Sequence, residues 1–198
     1  MTLADATQAV LLTDSRSTVE VYDVLNKSLI WNSQEHESVN QVLDMGEEDQ
    51  HRLVIADHFE ITTWKRNAQG FQMEHSVDIN CDLLGSMKAD NEPRLLCIRL
   101  AGDSSTLLVY GSDLTRTDRI TMSDVFSAIE TVPGEKTDKL LLGTDSGEIV
   151  MIDASSLAEI WRSPRLVGSI NSIHYSPQSD TSDPAMSVGT TNAMYLTR

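Results

Sequence analysis

Apolar and polar positions along this chain fall into short alternating runs separated by turn residues, and the arrangement recurs five times. The clearest pair is Ala9-Val-Leu-Leu-Thr-Asp-Ser-Arg-Ser-Thr-Val-Glu-Val-Tyr-Asp23 and Lys139-Leu-Leu-Leu-Gly-Thr-Asp-Ser-Gly-Glu-Ile-Val-Met-Ile-Asp153. Each is an apolar run, an Asp-Ser turn and an alternating strand that ends in Asp. Weaker copies turn at Asp57, Asp103 and Thr191. With Asp14, Asp57, Asp103, Asp145 and Thr191 as register marks, the spacings are 43, 46, 42 and 46 residues. The pattern predicts three strands in the first unit, four in each of the next three, and three in the last. The run Phe71, Met73, His75, Val77 and Ile79 alternates with polar residues and predicts a half-buried strand. No segment keeps a helical period beyond two turns.

Short strands repeating at about 40 to 50 residues predict an all-β fold of β-propeller type, with four-stranded antiparallel blades. The units are 9–33, 38–80, 81–123, 124–166 and 168–198, together one propeller domain or a fragment of one. Their second strands, such as Leu53-Val-Ile-Ala56 and Leu140-Leu-Leu142, are continuous apolar runs, as strands covered on both faces read. Unit one lacks a first strand and unit five a fourth, so four and a half to five repeats are present. The chain then closes as a five-bladed ring, with Met1 to Ala6 folding back as the missing outer strand of unit five, forms part of a larger propeller, or is completed by a partner. In the last case Met194, Tyr195, Leu196 and Thr197 form an open edge on which a partner protein adds strands. Trp31 and Trp161, at equivalent places in the two best repeats, are expected to pack on the next blade.

Gly143-Thr-Asp-Ser-Gly-Glu-Ile-Val-Met-Ile-Asp-Ala-Ser-Ser-Leu-Ala-Glu-Ile-Trp161 resembles the tryptophan-docking repeat of quinoprotein-like propellers. Val21-Tyr-Asp-Val-Leu-Asn-Lys-Ser-Leu-Ile-Trp31 repeats its second half, with nine residues from Tyr22 to Trp31 and from Ile152 to Trp161. The same slots are similar to WD repeats. Where those carry Trp-Asp, this chain reads Tyr22-Asp23, Trp64-Lys65, Tyr110-Gly111 and Ile152-Asp153; their Gly-His mark is absent. The resemblance implies a fold superfamily that hosts many activities.

Composition narrows the function. The chain has 198 residues and a net charge of -15, with 30 acidic against 15 basic side chains. Lys and Arg are scattered singly, so direct nucleic-acid binding is not expected. Glu35, Glu37, Glu47, Glu48 and Asp49 belong to an acidic stretch, either a solvated rim or a docking face for a basic partner. No apolar run is long enough to span a membrane. Met1 to Gln8 has neither the basic nor the apolar part of a secretory signal. Cys81 and Cys97 lie among apolar residues and are expected to be buried thiols, which suits an intracellular protein, cytoplasmic or nuclear.

Catalytic and metal motifs are absent. Of His36, His51, His58, His75 and His174, no pair has the short spacing of a metal site, and His75 reads as a core histidine. Asp180-Thr-Ser-Asp183 lacks the glycine of a dedicated calcium loop. Arg99 interrupts the apolar run Leu95–Leu100, either lining a central channel or pairing with a carboxylate. No cofactor, catalytic residue or metal ligand is therefore assigned. Two functions remain: a non-catalytic scaffold for protein–protein interaction within an intracellular multiprotein complex, and a quinoprotein-type enzyme or small-ligand binder using the central channel.

Overall fold

A computed structural model describes residues 8–13, 18–33, 39–45, 52–68, 70–177 and 184–197. Among them every regular element is a strand, and no helix is long and apolar enough to cross a membrane. The strands form five antiparallel sheets, each a meander in chain order. The first holds β1 (Gln8–Thr13), β2 (Thr18–Asp23) and β3 (Ser28–Asn32). The second holds β4 (Gln41–Asp44), β5 (Arg52–Ala56), β6 (Glu60–Asn67) and β7 (Gly70–Asp78). The third holds β8 (Leu83–Ala89), β9 (Glu92–Ala101), β10 (Ser104–Tyr110) and β11 (Arg116–Met122). The fourth holds β12 (Phe126–Val132), β13 (Lys139–Thr144), β14 (Ile149–Asp153) and β15 (Glu159–Arg162). The last holds β16 (Ile170–Ser176), β17 (Ala185–Thr190) and β18 (Met194–Thr197). These are the blades of a β-propeller, three with four strands and two with three. The chain divides into two compact units, Met1–Cys81 with two blades and Asp82–Arg198 with three.

The sequence pattern accounts for the burial. In the middle strands Leu53–Ala56, Leu95–Ile98, Leu107–Tyr110 and Leu140–Thr144 are buried on both faces. In the first unit Val19 and Val21 of β2 meet Leu53 and Ile55 of β5. In the second unit Leu96, Ile98 and Leu107 form one core with Phe126, Leu140 and Ile152. Leu141 and Ile149 form another with Ile170, Ile173 and Val188. Backbones approach closely in these layers. A Cβ on Gly143 would come 2.5 Å from Cγ2 of Ile170, so glycine sets the separation of the fourth and fifth blades there.

Four outer strand pairs carry a β-bulge at the same repeat position, between Val21 and Tyr22, Thr63 and Trp64, Val109 and Tyr110, and Met151 and Ile152. The extra residue lies on the outer strand. In blade two it is Glu74, since Thr63 pairs with His75 and Trp64 with Met73. The alternation expected from Phe71 to Ile79 survives only at its ends, where Val77 and Ile79 are half-buried between exposed neighbours. Phe71 is buried, but Met73 is 52% exposed and His75 is exposed. His75 is therefore a surface residue of an outer strand and not a core histidine. Glu74 accepts hydrogen bonds from Nε and Nη2 of Arg52 at 3.1 and 2.9 Å.

Two further repeats are polar. The Ser33 N–H donates to the Val19 carbonyl at 2.8 Å while Ser33 Oγ accepts from the Val19 N–H at 2.9 Å. Ser163 and Ile149 make the same reciprocal pair, at 2.9 Å each way. The Asp that ends each well-formed hairpin caps the following turn. Asp23 Oδ1 accepts from the Asn26 N–H at 2.8 Å. Asp153 Oδ1 accepts from the N–H and Oγ of Ser155 and Ser156, which holds its carboxyl below the usual range, the Ser155 hydroxyl contributing most. Gly147 takes the positive φ, +91°, that its Asp-Ser-Gly turn predicts. Cys81 and Cys97 are buried, and neither forms a disulfide.

In the second unit the loop from β12 to β13 clamps the preceding blade. Asp138 is buried and accepts the Lys88 N–H at 2.6 Å and the Gly134 N–H at 3.0 Å. Its own N–H donates to the Lys88 carbonyl at 2.8 Å. Lys88 Nζ donates to the Gly134 and Glu135 carbonyls at 2.9 and 3.2 Å. A second clamp is Arg162, which reaches Asp124 at 2.9 Å, Glu159 at 2.8 Å and Glu148 at 3.4 Å. These bonds, Asp124 foremost, raise its already high pKa. Replacing Asp138 by Ala strands two amide donors and should destabilise the second unit by about 2 to 4 kcal/mol, read as a lower urea midpoint. Asp138→Asn, which keeps an acceptor, should cost less.

Candidate interaction site

The described residues bring together no group of three metal-ligating side chains. His58 is exposed and its Nδ1 lies 3.3 Å from Asn40 Nδ2. His174 is exposed beside Glu130, at 3.6 Å. Arg99 is exposed on β9, pairing in register with Thr106. His36, His51, Asp180, Asp183 and the acidic rim of Glu35, Glu37, Glu47, Glu48 and Asp49 lie outside the described residues.

The anticipated edge is a strand. Met194 to Thr197 form β18, which pairs with β17 and ends its sheet; no strand pairs with its other side among the described residues. Period-two alternation splits its side chains between two faces. Tyr195 is half-buried and packs with Val188 on the face toward the fourth blade. Its hydroxyl accepts from the Val167 N–H at 3.4 Å. Met194 and Leu196 point to the other face and are 77% and 79% exposed. Such exposure contrasts with the corresponding strand of the fourth blade, where Ile149, Val150 and Ile152 are buried.

The two tryptophans part company. Trp31 on β3 pairs with Val21 and packs against Trp64 and Phe71, at ring separations of 5.2 and 5.3 Å. Those rings come from the third and fourth strands of the following blade, as the repeat pattern predicts. Trp161 on β15 pairs with Met151 in the equivalent way but is 44% exposed. The expectation that it is buried between blades is corrected: the following sheet shows three strands among the described residues, and none of them covers it. What lies beneath it is an apolar groove of about 610 Å³, lined by Leu141, Met151, Ile160 and Trp161 of one blade and Tyr175 and Met186 of the next. Lys139 is its one charged lining residue. Sequence reasoning marked the edge and the tryptophan separately. The groove joining them was signalled only by Trp161 preceding a unit that is one strand short.

No family model matches the chain, and no curated protein matches it. Among solved structures the chain is similar to BBS1N, determined in complex with ARL6DN in a mercury-soaked crystal. The TM-score is 0.73 at 12% sequence identity, over 99% of this chain. The match spans 57% of that chain's length. At such identity the likeness is one of fold, and with 599 matching chains it marks a widely used architecture.

The contrast between the tryptophans is measurable. Trp31→Ala should cost about 3 kcal/mol, as loss of a packed aromatic does. Trp161→Ala in the chain alone should cost less than about 1 kcal/mol, as at a surface position. Urea unfolding of both variants checks this; equal losses would mean that Trp161 is packed in solution.

Proposed function

We propose that this chain is a non-catalytic interaction module, a propeller subunit of an intracellular multiprotein complex. The observation that carries this reading is strand β18, whose outer side no described strand pairs and whose Met194 and Leu196 are among the most exposed large apolar side chains described. Exposed apolar patches and unpaired strand edges are contact surfaces far more often than idle ones. Main-chain groups along such an edge supply affinity, and the side chains beside them supply selectivity. The solved structure of BBS1N with ARL6DN is a precedent for a propeller of this build holding a protein partner. The surplus of acidic residues favours a basic partner surface, with Glu35, Glu37, Glu47, Glu48 and Asp49 as its docking rim. Two buried thiols in an unstapled fold support an intracellular setting.

A double substitution, Met194→Glu with Leu196→Glu, tests this reading. Both side chains are solvent-facing, so the variant should keep the stability of the parent to within about 0.5 kcal/mol. The parent, isolated from its own cells, should carry a protein in fixed stoichiometry, with amide exchange at Met194–Thr197 slowed in the complex; the variant should lose that protein. A parent that is monomeric in the cell and already protected along β18 would overturn the reading.

A further inference from the structure

We infer that Ser156, in the turn between β14 and β15, is a phosphorylation site, and that a phosphate on it releases the buried side chain of Leu157 from the core between blades three and four.

The turn is built on one carboxylate. Asp153 Oδ1 accepts from the Ser155 N–H and Oγ at 3.1 and 2.7 Å, and from the Ser156 N–H and Oγ at 2.9 Å each. The Leu157 N–H closes the turn on the Asp153 carbonyl at 2.9 Å, and the Asp153 N–H donates to the Ala158 carbonyl at 3.0 Å. This geometry holds Leu157 at φ 54°, a left-handed conformation that is unfavourable for a residue with a Cβ. Burial offsets the strain: Leu157 belongs with Ala154 and Met87 to the core shared by the two blades.

Blade one shows the same turn without the hydroxyl. Asn26 stands three residues after Asp23, as Ser156 does after Asp153, and caps on it through its N–H and Nδ2 at 2.8 Å each. The next residue, Lys27, also has φ 54° but is exposed. A hydroxyl is therefore not needed to form the turn, and it occurs in the copy whose left-handed residue is a buried leucine.

A phosphate reverses the contact. Ser156 Oγ now donates to Asp153; esterified, it has no proton to give and brings a charge of about -2 against that carboxylate. Lys139 lies opposite Asp153 in register, a single cation against both groups. The cap is lost, and with it the constraint that keeps Leu157 tucked in. Access favours the reaction. Ser155 and Ser156 are exposed, and β15 is a four-residue strand at the end of its sheet, so the turn opens without disturbing inner strands. Glu159 follows Ser156 by three residues, the spacing that acid-directed protein kinases select through charge; Ser155 has Ala158 there. Such a kinase passes the γ-phosphoryl group of ATP to Ser156 Oγ. The bond to the bridging oxygen breaks, ADP leaves, and the hydroxyl proton goes to the catalytic carboxylate of the kinase.

The full chain, treated with an acid-directed serine/threonine kinase, magnesium and ATP, should carry a phosphate on Ser156 by mass spectrometry. Ser156→Asn should carry none at that position, and Glu159→Gln should react about tenfold more slowly. Amide exchange at Asp153 and Leu157 should be about tenfold faster in the phosphorylated chain, yet within about twofold of the parent in Ser156→Asn, which keeps the cap as Asn26 does. A chain synthesised with phosphoserine in place of Ser156 should show the same faster exchange with no kinase present. No phosphate on Ser156, or a phosphate on Ser155 in its place, would overturn the site. Unchanged exchange at Leu157 in the phosphoserine chain would overturn the release.

Discussion

A middle strand in a blade has two apolar faces, and no single neighbour covers both. This requirement governs the molecule. Leu140 and Leu142 of β13 look into one core and Leu141 into another, so the fourth blade is held only because a sheet lies on each side of it. The energetic unit is then the layer between two blades, not the blade itself, as in other repeat proteins. Polar contacts follow the same logic. Asp138 and Lys88 tie loop to neighbouring hairpin, and Gly143 lets two backbones approach where a methyl group would hold them apart.

The last sheet shows a different pattern. Val188 of β17 is buried against the fourth blade, while the pattern of the rest of its strand is half-open. Its partner β18 ends with two large apolar side chains in water. Ion pairs at the rim, such as Arg162 with its three carboxylates, position the outer strand β15 but do nothing to close the layer beyond it. Trp161 therefore stands where the described strands of the last sheet stop, and its partial burial records how far those strands reach.

Much of this was legible in the residues. The period, the all-β character, the sheet boundaries and the turn at Gly147 follow from alternation and turn chemistry. The continuous apolar runs located the middle strands because only doubly covered strands tolerate them. Three features escaped. The run from Phe71 to Ile79 reads as one alternating half-buried strand, yet Met73 and His75 are exposed on either side of the bulge at Glu74. The reciprocal pairs of Ser33 with Val19 and Ser163 with Ile149 follow the two tryptophans by two residues, a spacing that reads as incidental until the register is known. The exposure of Trp161 depends on the extent of a sheet that follows it in the chain, and no local pattern carries that.

The bulge has a consequence for how such a chain can change over time. Each outer strand must spend one residue on it, so Trp31 and Trp161 face their blades only if the count from Tyr22 and from Ile152 stays at nine. Exchanging Ile30 or Ile160 for another side chain leaves the geometry alone, while deleting either would rotate the tryptophan onto the opposite face. Lineages can thus rewrite nearly every letter while keeping the arithmetic of strand and turn lengths. A fold shared at 12% identity is consistent with strand and turn lengths, more than particular letters, specifying the architecture.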